Sequence, residues 1–411
     1  MNFSMTRRAM LAGSAAILAR RANAQSIDTD TETQAMTATP FTIEVPSDVI
    51  EDLKDRIAAT RLPDQLAGTG WSYGTDTTYL ADLLEYWRTD YDWLAEQARL
   101  NTFDHFKAKI DGLDIHFVHA TSDRADAIPL LMLHGWPSSF VQMLDIVPML
   151  TAPEGDGPAF HVVAASLPGY GFSGIPTEPG MSPGAIAPYM HKLMTDVLGY
   201  DSYGVRSSDL GAGVAAMMAG SYAEAIIGSH TGGTNPYLQG PIPDDLSEEE
   251  QTFVQNAQTW MQQEMAYAMQ HSSKPQTVAV ALNDSPAGLA SWIVEKFWRW
   301  TDNDGTIESA IDRDALLTNL TIYWATQTIN SSMRLYAEAA RAQDGWAMPQ
   351  VPVGYLMPRN DMFETPRSWI ERQGPVGHWT VAEQGGHFME WEQPRIVADD
   401  LRLFFGGLQD G

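Results

Sequence analysis

The 411-residue sequence has no cysteine, which excludes disulfide bonds, iron–sulfur clusters and cysteine-ligated zinc. Basic residues are also scarce, since 25 Lys and Arg stand against 52 Asp and Glu and the formal net charge is −27. This charge opposes general binding to nucleic acid or to an anionic membrane. No apolar run approaches the ~20 residues that a membrane-spanning helix needs. The composition is that of a globular protein, with 44% hydrophobic residues and many aromatics.

The first 24 residues have the pattern of an export signal. Arg7 and Arg8 precede a short apolar run that ends near Ala19, and Ala22-Asn23-Ala24 supplies the small residues of a signal-peptidase site. This pattern resembles a twin-arginine signal cleaved near Ala24, and it predicts a bacterial protein that the twin-arginine machinery exports to the periplasm or the medium. A fortuitous basic helix is the alternative interpretation. Residues 25–40, which are rich in Thr, Asp and Ala, are expected to be a flexible leader.

The chain from Phe41 onward predicts an α/β fold, in which a mostly parallel sheet has helices on both faces, because short apolar runs alternate with helical patterns. The predicted strands are 129–133, 160–165, 203–205, 226–229, 351–356 and 378–382, and the predicted helices are 140–150, 182–198, 212–219, 367–372 and 393–404. Two helices are expected before this alternation, at 49–57 and 79–93, and a turn at Asp111-Gly112 leads into a further strand. Residues 238–346 carry helical patterns and many aromatic residues but no convincing strand. We expect a helical cap there.

One strand-to-helix turn has the residues of a nucleophile elbow, Ser207-Ser208-Asp209-Leu210-Gly211. Small residues on both sides allow the strained, closely packed backbone that such an elbow requires. Neither serine has the flanking glycines of the serine motif, so Asp209 is the predicted nucleophile, held at a helix N-terminus that favours an anion. A loop aspartate that only caps the helix is the alternative interpretation.

Two other loops carry the partners that an elbow nucleophile needs. His134-Gly135-Trp136-Pro137 follows a predicted strand, so the backbone N–H of Trp136 is expected to form an oxyanion hole together with that of Leu210. His387 lies in a Gly-Gly-His loop after the last predicted strand, where the chain order nucleophile, acid, histidine places a general base. The acid should follow the strand 351–356, and both Asp361 and Glu364 qualify.

These segments together resemble the epoxide hydrolases of the α/β-hydrolase superfamily, and most closely the branch with the microsomal and juvenile-hormone enzymes. The resemblance extends from about residue 41 to residue 405. Besides the loops above, it is carried by Tyr91-Asp92-Trp93, Leu100-Asn101-Thr102-Phe103, Ile110–Phe117, Ser166–Ser173, Ala281–Pro286 and Glu392-Gln393-Pro394. One departure is at the elbow, where many relatives have Gly-Gly-Asp-Trp-Gly.

The resemblance implies an α/β-hydrolase fold with an inserted all-helical cap and an N-terminal helical extension. The corresponding division is a signal at 1–24, a leader at 25–40, the N-terminal segment at 41–110, the core at 111–237 and 347–411, and the cap at 238–346. It also implies Asp209 as nucleophile, His387 as base and Asp361 as the charge-relay acid, with Glu364 as the fallback. Tyr336 and, less directly, Tyr267 match the lid tyrosines that donate protons. A cis peptide bond is expected before Pro137.

The implied reaction is the hydrolysis of a small apolar epoxide to a vicinal diol through an alkyl ester on Asp209, with neither cofactor nor metal. Activity on cis-stilbene oxide and a role in detoxification would fit this reaction. The sequence is compatible with a homodimer but does not determine the oligomeric state. A haloalkane or haloacid dehalogenase is the alternative on the same fold. It needs ring N–H donors for the halide, commonly a Trp after the nucleophile, where this chain has Leu210. The other alternative is a non-catalytic ligand-binding protein.

Overall fold

A nine-stranded sheet forms the centre of the computed structural model, within the residues that it describes: 36–155, 157–233, 241–342 and 348–409. These residues belong to one compact unit, Met36–Gly411. The predicted signal at 1–24, most of the predicted leader and the two ends of the cap lie outside the described residues. No described helix is long and apolar enough to span a membrane.

The sheet has the order β1-β2-β3-β5-β4-β6-β7-β8-β9. The pairs β1/β2, β2/β3 and β3/β5 are antiparallel and all the others are parallel, which confirms the mostly parallel sheet. The strands are β1 (Ala38–Phe41), β2 (His105–Ile110), β3 (Leu113–Ala120), β4 (Ile128–Leu133), β5 (Phe160–Ala165), β6 (Tyr203–Ser208), β7 (Ile226–Gly232), β8 (Val353–Pro358) and β9 (His378–Ala382).

Helices cover the sheet and build the cap. Before and between the strands lie α1 (Ser47–Ala58), α2 (Thr77–Thr89), α3 (Trp93–Leu100), α4 (Val147–Thr151), α5 (Pro183–Lys192) and α6 (Asp209–Ser221). The cap comprises α7 (Glu248–Glu264), α8 (Ala266–Ser273), α9 (Pro275–Asp284), α10 (Pro286–Trp300), α11 (Arg313–Thr326) and α12 (Ile329–Arg341). The C-terminal part of the core adds α13 (Arg367–Glu371), α14 (Met389–Glu392) and α15 (Pro394–Gln409).

Two of the predicted helices are wrong in extent. Residues 140–150 form a 3₁₀ turn, Phe140–Met143, and then α4. Pro148 has no N–H to donate to the preceding turn, which favours a break in the helix before α4. The helix predicted at 79–93 is divided. Asp92 accepts hydrogen bonds from the backbone N–H groups of Leu94 and Ala95 and so begins α3 as its cap.

The N-terminal segment is not wholly helical, as 41–110 was predicted to be. Its last residues form β2, which pairs with β3. A two-residue turn at Asp111 and Gly112, both with positive φ, connects the two strands. Strand β1 begins at Ala38, inside the predicted flexible leader, and pairs with β2. The segment therefore extends the sheet by two antiparallel strands as well as packing helices against it.

Cap helix α11 holds the loop after β4 in place. Asn319 Nδ2 donates to the carbonyl oxygen of Pro137 at 2.8 Å, and the Tyr323 hydroxyl donates to that of Ser138 at 2.9 Å. All four residues are buried. The cap thus fixes the backbone of the loop that carries Trp136, one end of the candidate site.

The packing predicts that the N-terminal segment unfolds together with the core, as part of one cooperative unit. Leu83 on α2 is fully buried, whereas Leu94 on α3 is 69% exposed. Leu83→Ala should lower the free energy of unfolding by about 2–5 kcal/mol, because it leaves a cavity in the core. Leu94→Ala should change it by less than about 0.5 kcal/mol. Denaturant unfolding measures both, and equal small effects would show that α2 does not belong to the cooperative core.

Candidate active site

Asp209 occupies the turn where β6 ends and α6 begins, and its backbone is left-handed, with φ of 48°. An L-residue in this region is strained, so the surroundings must hold it there. Asp209 is the first residue of α6, where the helix dipole attracts an anion. The side chain is 18% exposed, which leaves it accessible from a cavity.

Two glycines allow the neighbouring chain to approach this turn. A Cβ on Gly135 would collide with the Asp209 side chain. A Cβ on Gly211 would lie 2.6 Å from the carbonyl oxygens of Leu133 and His134. Each position therefore requires glycine, so the loop after β4 and the elbow are in direct backbone contact.

The loop after β4 donates a backbone hydrogen bond to the candidate nucleophile. The N–H of Trp136 lies 2.9 Å from Asp209 Oδ1, so this predicted oxyanion donor already faces the carboxylate. Leu210 follows Asp209 in the first turn of α6 and lines the same cavity. The peptide bond between Trp136 and Pro137 is cis, which confirms that prediction.

The loops after β8 and β9 bring an acid and the histidine to Asp209. His387 Nδ1 lies 3.0 Å from Asp361 Oδ1, and His387 Nε2 lies 3.4 Å from Asp209 Oδ2. Asp361 and His387 have side chains that are each 6% exposed. Glu364, the alternative acid, is exposed to solvent. The geometry therefore favours Asp361 as the partner of His387.

The two carboxylates determine the charge of His387. Burial alone would lower the pKa of the imidazole, but Asp361 and Asp209 outweigh it and raise that pKa to about 10. The resting site at neutral pH is therefore an imidazolium between two carboxylates. A group in this state cannot accept a proton until one of its neighbours loses its charge.

Glu392 holds the His387 loop, and this role was not predicted from the sequence. Its carboxylate accepts hydrogen bonds from the backbone N–H groups of Gly386 at 2.8 Å, Phe388 at 2.9 Å and Asp302 at 2.7 Å. The N–H of His387 itself donates to the Trp300 carbonyl oxygen at 2.7 Å. His387 is thereby fixed to the end of cap helix α10. The partners of Glu392 lie in two places, the loop of His387 itself and the distant residue Asp302.

Both predicted lid tyrosines reach the cavity above Asp209. Tyr267 on α8 is 6% exposed and Tyr336 on α12 is 5% exposed, and their ring centroids are 6.1 Å apart. The Tyr267 ring also stacks on Trp136, with centroids 5.2 Å apart. The cavity has a volume of about 170 Å³, and Asp209, His387 and both tyrosines line it among mostly apolar and small residues.

A second group of titratable residues, His230, His378 and Asp400, has the composition of a metal site among the described residues. Its hydrogen bonds do not suit a metal. Arg206 Nη1, which can only donate, lies 2.9 Å from His230 Nδ1, so the proton of that imidazole resides on Nε2. That Nε2–H donates to Asp400 Oδ2 at 2.8 Å and is not available as a ligand. The group is a hydrogen-bond network in which Asp400 of α15 joins His230 of β7 to His378 of β9.

The charges around His387 predict the pH range in which its imidazole titrates. The His387 imidazole should remain protonated to a pH of about 10, and Asp209→Asn should lower its pKa by removing one carboxylate. Since the unfolded value is about 6.5, the pairing stabilises the fold fully below that pH and is lost as the pH rises through about 10. Histidine NMR of the wild type and of Asp209→Asn measures the pKa. A pKa unchanged by the substitution would contradict the coupling.

Comparison with known proteins identifies the family of the chain. Residues 38–143 match the family model described as epoxide hydrolase N terminus, and residues 128–286 match the alpha/beta hydrolase fold. Epoxide hydrolase 1 of Sus scrofa is 35% identical over 406 residues, with 90% of this chain and 89% of that protein covered. Juvenile hormone epoxide hydrolase 2 of Ctenocephalides felis is 33% identical over 392 residues, with 88% and 84% covered.

A solved structure extends the likeness to three dimensions. The crystal structure of juvenile hormone epoxide hydrolase from the silkworm Bombyx mori matches with a TM-score of 0.82 at 33% identity, covering 92% of this chain and 96% of that one. The likeness thus includes the N-terminal segment, the core and the cap. The chain belongs to the epoxide hydrolase family and is an enzyme with the α/β-hydrolase fold.

Proposed function

We propose that the protein hydrolyses a small apolar epoxide to a vicinal diol through an alkyl ester on Asp209. The observation that carries the proposal is the arrangement around one cavity: a carboxylate 3.4 Å from a histidine, with two tyrosines lining the same space. The carboxylate can attack carbon, the tyrosines can protonate the oxygen that leaves, and the histidine can activate water.

Ring opening is the first step. The Trp136 N–H holds Asp209 Oδ1, so Oδ2 is the oxygen that attacks the epoxide carbon. The bond from Oδ2 to carbon forms as the carbon–oxygen bond of the ring breaks. One of Tyr267 and Tyr336 gives its proton to the ring oxygen and the other donates a hydrogen bond. The products are an uncharged ester and a phenolate.

The ester changes the properties of the base. Alkylation removes the charge of Asp209, which is one of the two carboxylates that raise the pKa of His387. The imidazolium of His387 becomes more acidic, and it gives its proton to the phenolate, directly or through water. His387 is then neutral, while Asp361 still orients its ring at 3.0 Å. The first step therefore prepares the base that the second step needs.

Ester hydrolysis is the second step. His387 takes a proton from water, and the hydroxide attacks the carboxyl carbon of Asp209. The negative charge develops on Oδ1, which already accepts the N–H of Trp136, and the N–H of Leu210 is the second proposed donor. Each such donor is worth about 2.7–4 kcal/mol in comparable sites. The bond between the carboxyl carbon and Oδ2 then breaks, and the leaving oxygen takes the proton of the newly added hydroxyl. The diol is released, and the carboxylate again lies beside the imidazolium.

The residues around the nucleophile favour an epoxide over a haloalkane. Leu210, directly after Asp209, has no ring N–H to hold a departing halide. Two tyrosines instead suit an alkoxide that has to be protonated. Apolar lining favours an apolar substrate, for which cis-stilbene oxide is a suitable assay compound, and a detoxifying role would follow from such a range.

The covalent intermediate can be trapped. His387→Gln removes the base of the second step only, so protein mixed with an epoxide should gain the mass of one substrate molecule. The matched control is His387→Gln combined with Asp209→Asn, which should gain none. Intact-protein mass spectrometry over a panel of epoxides and haloalkanes gives the answer. Absence of any adduct with epoxides, or adducts with haloalkanes only, would contradict the proposed reaction.

We also propose that the protein is exported through its twin-arginine segment, on the support of Arg7, Arg8 and the small residues before Ala24. The double substitution Arg7→Lys and Arg8→Lys should leave an uncleaved precursor in the cytoplasm of a bacterial host. Arg20→Lys with Arg21→Lys is the matched control and should still be exported. Cell fractionation measures both, and normal export of the first variant would refute the signal.

A further inference from the structure

Tyr267 has a buried positive charge beside its ring. The ammonium nitrogen of Lys296 on α10 lies 4.6 Å from the centroid of the Tyr267 ring and 5.9 Å from that of Trp300. The Lys296 side chain is only 7% exposed. Removing an ammonium from water is costly, so a lysine buried in the cap at this point invites a functional explanation.

The counter-ion of Lys296 is its chain neighbour Glu295, with which it forms a close ion pair. The Glu295 side chain is 22% exposed, so water screens the carboxylate more than it screens the ammonium. The positive member of the pair is therefore the one that acts more strongly on the ring of Tyr267.

The imidazole of His271 adds no second positive charge. Trp292 Nε1 donates to His271 Nε2 at 3.0 Å, so this nitrogen is an acceptor and the ring is neutral. Burial and the charge of Lys296 lower the pKa of His271 to about 3. The ring of His271 packs against those of both Tyr267 and Tyr336, so the effect of Lys296 extends to this part of the cap.

We propose that Lys296 is a positioning residue for ring opening, because its ammonium stabilises the phenolate that forms on Tyr267 as the hydroxyl proton moves to the epoxide oxygen. This inference rests on the proposed function. Tyr267 is uncharged before the step and negative after it, so a cation beside its ring stabilises the product side far more than the reactant side. The charge is already in place and needs no rearrangement.

The expected effect is confined to one step. Lys296→Met should lower the rate of enzyme alkylation by about tenfold to a hundredfold. It should leave hydrolysis of the ester within about twofold, since the phenolate has regained its proton by then. Lys296→Arg should restore most of the alkylation rate because it keeps the charge. Lys274→Met is the matched control, since Lys274 is an exposed lysine of the same cap.

A double-mutant cycle tests whether Lys296 acts through Tyr267. Lys296→Met should have no further effect on alkylation in a Tyr267→Phe background, where no phenolate can form at position 267, but should keep its effect in a Tyr336→Phe background. Equal losses in the two backgrounds would overturn the inference. Glu295→Gln changes the local charge in the opposite direction, because it removes the negative charge beside Lys296. This variant should not slow alkylation.

The pH dependence separates charge from packing. The titratable groups around Tyr267 include His271 on its own helix, Glu295 and Lys296 on α10, Tyr336 on α12, His387 after β9 and Asp209 at the start of α6. Only Lys296 changes in the test variant. The alkaline decline of the alkylation rate, where the phenol loses its proton, should move to higher pH in Lys296→Met and to lower pH in Glu295→Gln.

A substrate-free measurement distinguishes failure of this inference from failure of the proposed function. In protein labelled with ¹³Cζ-tyrosine, the Tyr267 resonance is identified by its loss in Tyr267→Phe. Its titration should move to higher pH in Lys296→Met. If that shift occurs but no epoxide alkylates the wild type, the proposed function is wrong and the effect of Lys296 on Tyr267 stands. If epoxides alkylate the wild type and Lys296→Met changes neither titration nor rate, the inference is wrong.

Discussion

The left-handed backbone of Asp209, at φ 48°, is the constraint on which the rest of the site depends. It turns the chain sharply from β6 into α6, so the carboxylate stands at the edge of the sheet beside the loops after β4, β8 and β9. Because the turn is strained, it persists only where the neighbouring backbone fits closely around it. Gly135 and Gly211 provide that fit, since a Cβ on Gly135 would collide with the Asp209 side chain and a Cβ on Gly211 would collide with the backbone of Leu133 and His134 at the end of β4.

The electrostatics of the site connect the two proposed steps. His387 lies between Asp209 and Asp361, and their charges keep it protonated at neutral pH. A base in this state cannot activate water before the substrate has reacted. In the proposed reaction, formation of the ester would remove one of the two charges and lower the pKa of the imidazole, so the charges would set the order of the two steps. The backbone N–H of Trp136, which donates to the carboxylate of Asp209, would then donate to the oxyanion of the second step.

The elements whose structure depends on a short, local residue pattern could be predicted from the sequence. The parallel strands, the elbow and the loop of His387 follow from apolar runs, small residues and glycines at fixed places. Proline at position 148 should have prevented a continuous helix at 140–150, and that error was avoidable. Strand β2 is different: its sequence, His-Phe-Lys-Ala-Lys-Ile, alternates polar and apolar residues with the period of a strand, so the local pattern also indicates this strand, which pairs with β3.

The contacts that complete the site could not be predicted, because they join distant segments. The chain order alone leaves Asp361 and Glu364 open, and the family resemblance favours Asp361. The path of the loop after β8 brings Asp361 to 3.0 Å from His387. Glu392 and Lys296 are unremarkable charged residues until the fold surrounds them with backbone N–H groups in one case and with aromatic rings in the other. Their roles depend on tertiary neighbours and not on spacing.

The central claim is that Asp209 attacks carbon and does not merely activate water. Both schemes consume one epoxide and one water, so they differ only in the source of the new oxygen of the diol. With enzyme in excess over epoxide in ¹⁸O-water, mass spectrometry of the first-turnover diol measures that source directly. If an oxygen of Asp209 passes into the product, the diol should be largely unlabelled and the label should appear in the peptide that contains Asp209. A fully labelled first-turnover diol with an unlabelled peptide would contradict the ester mechanism.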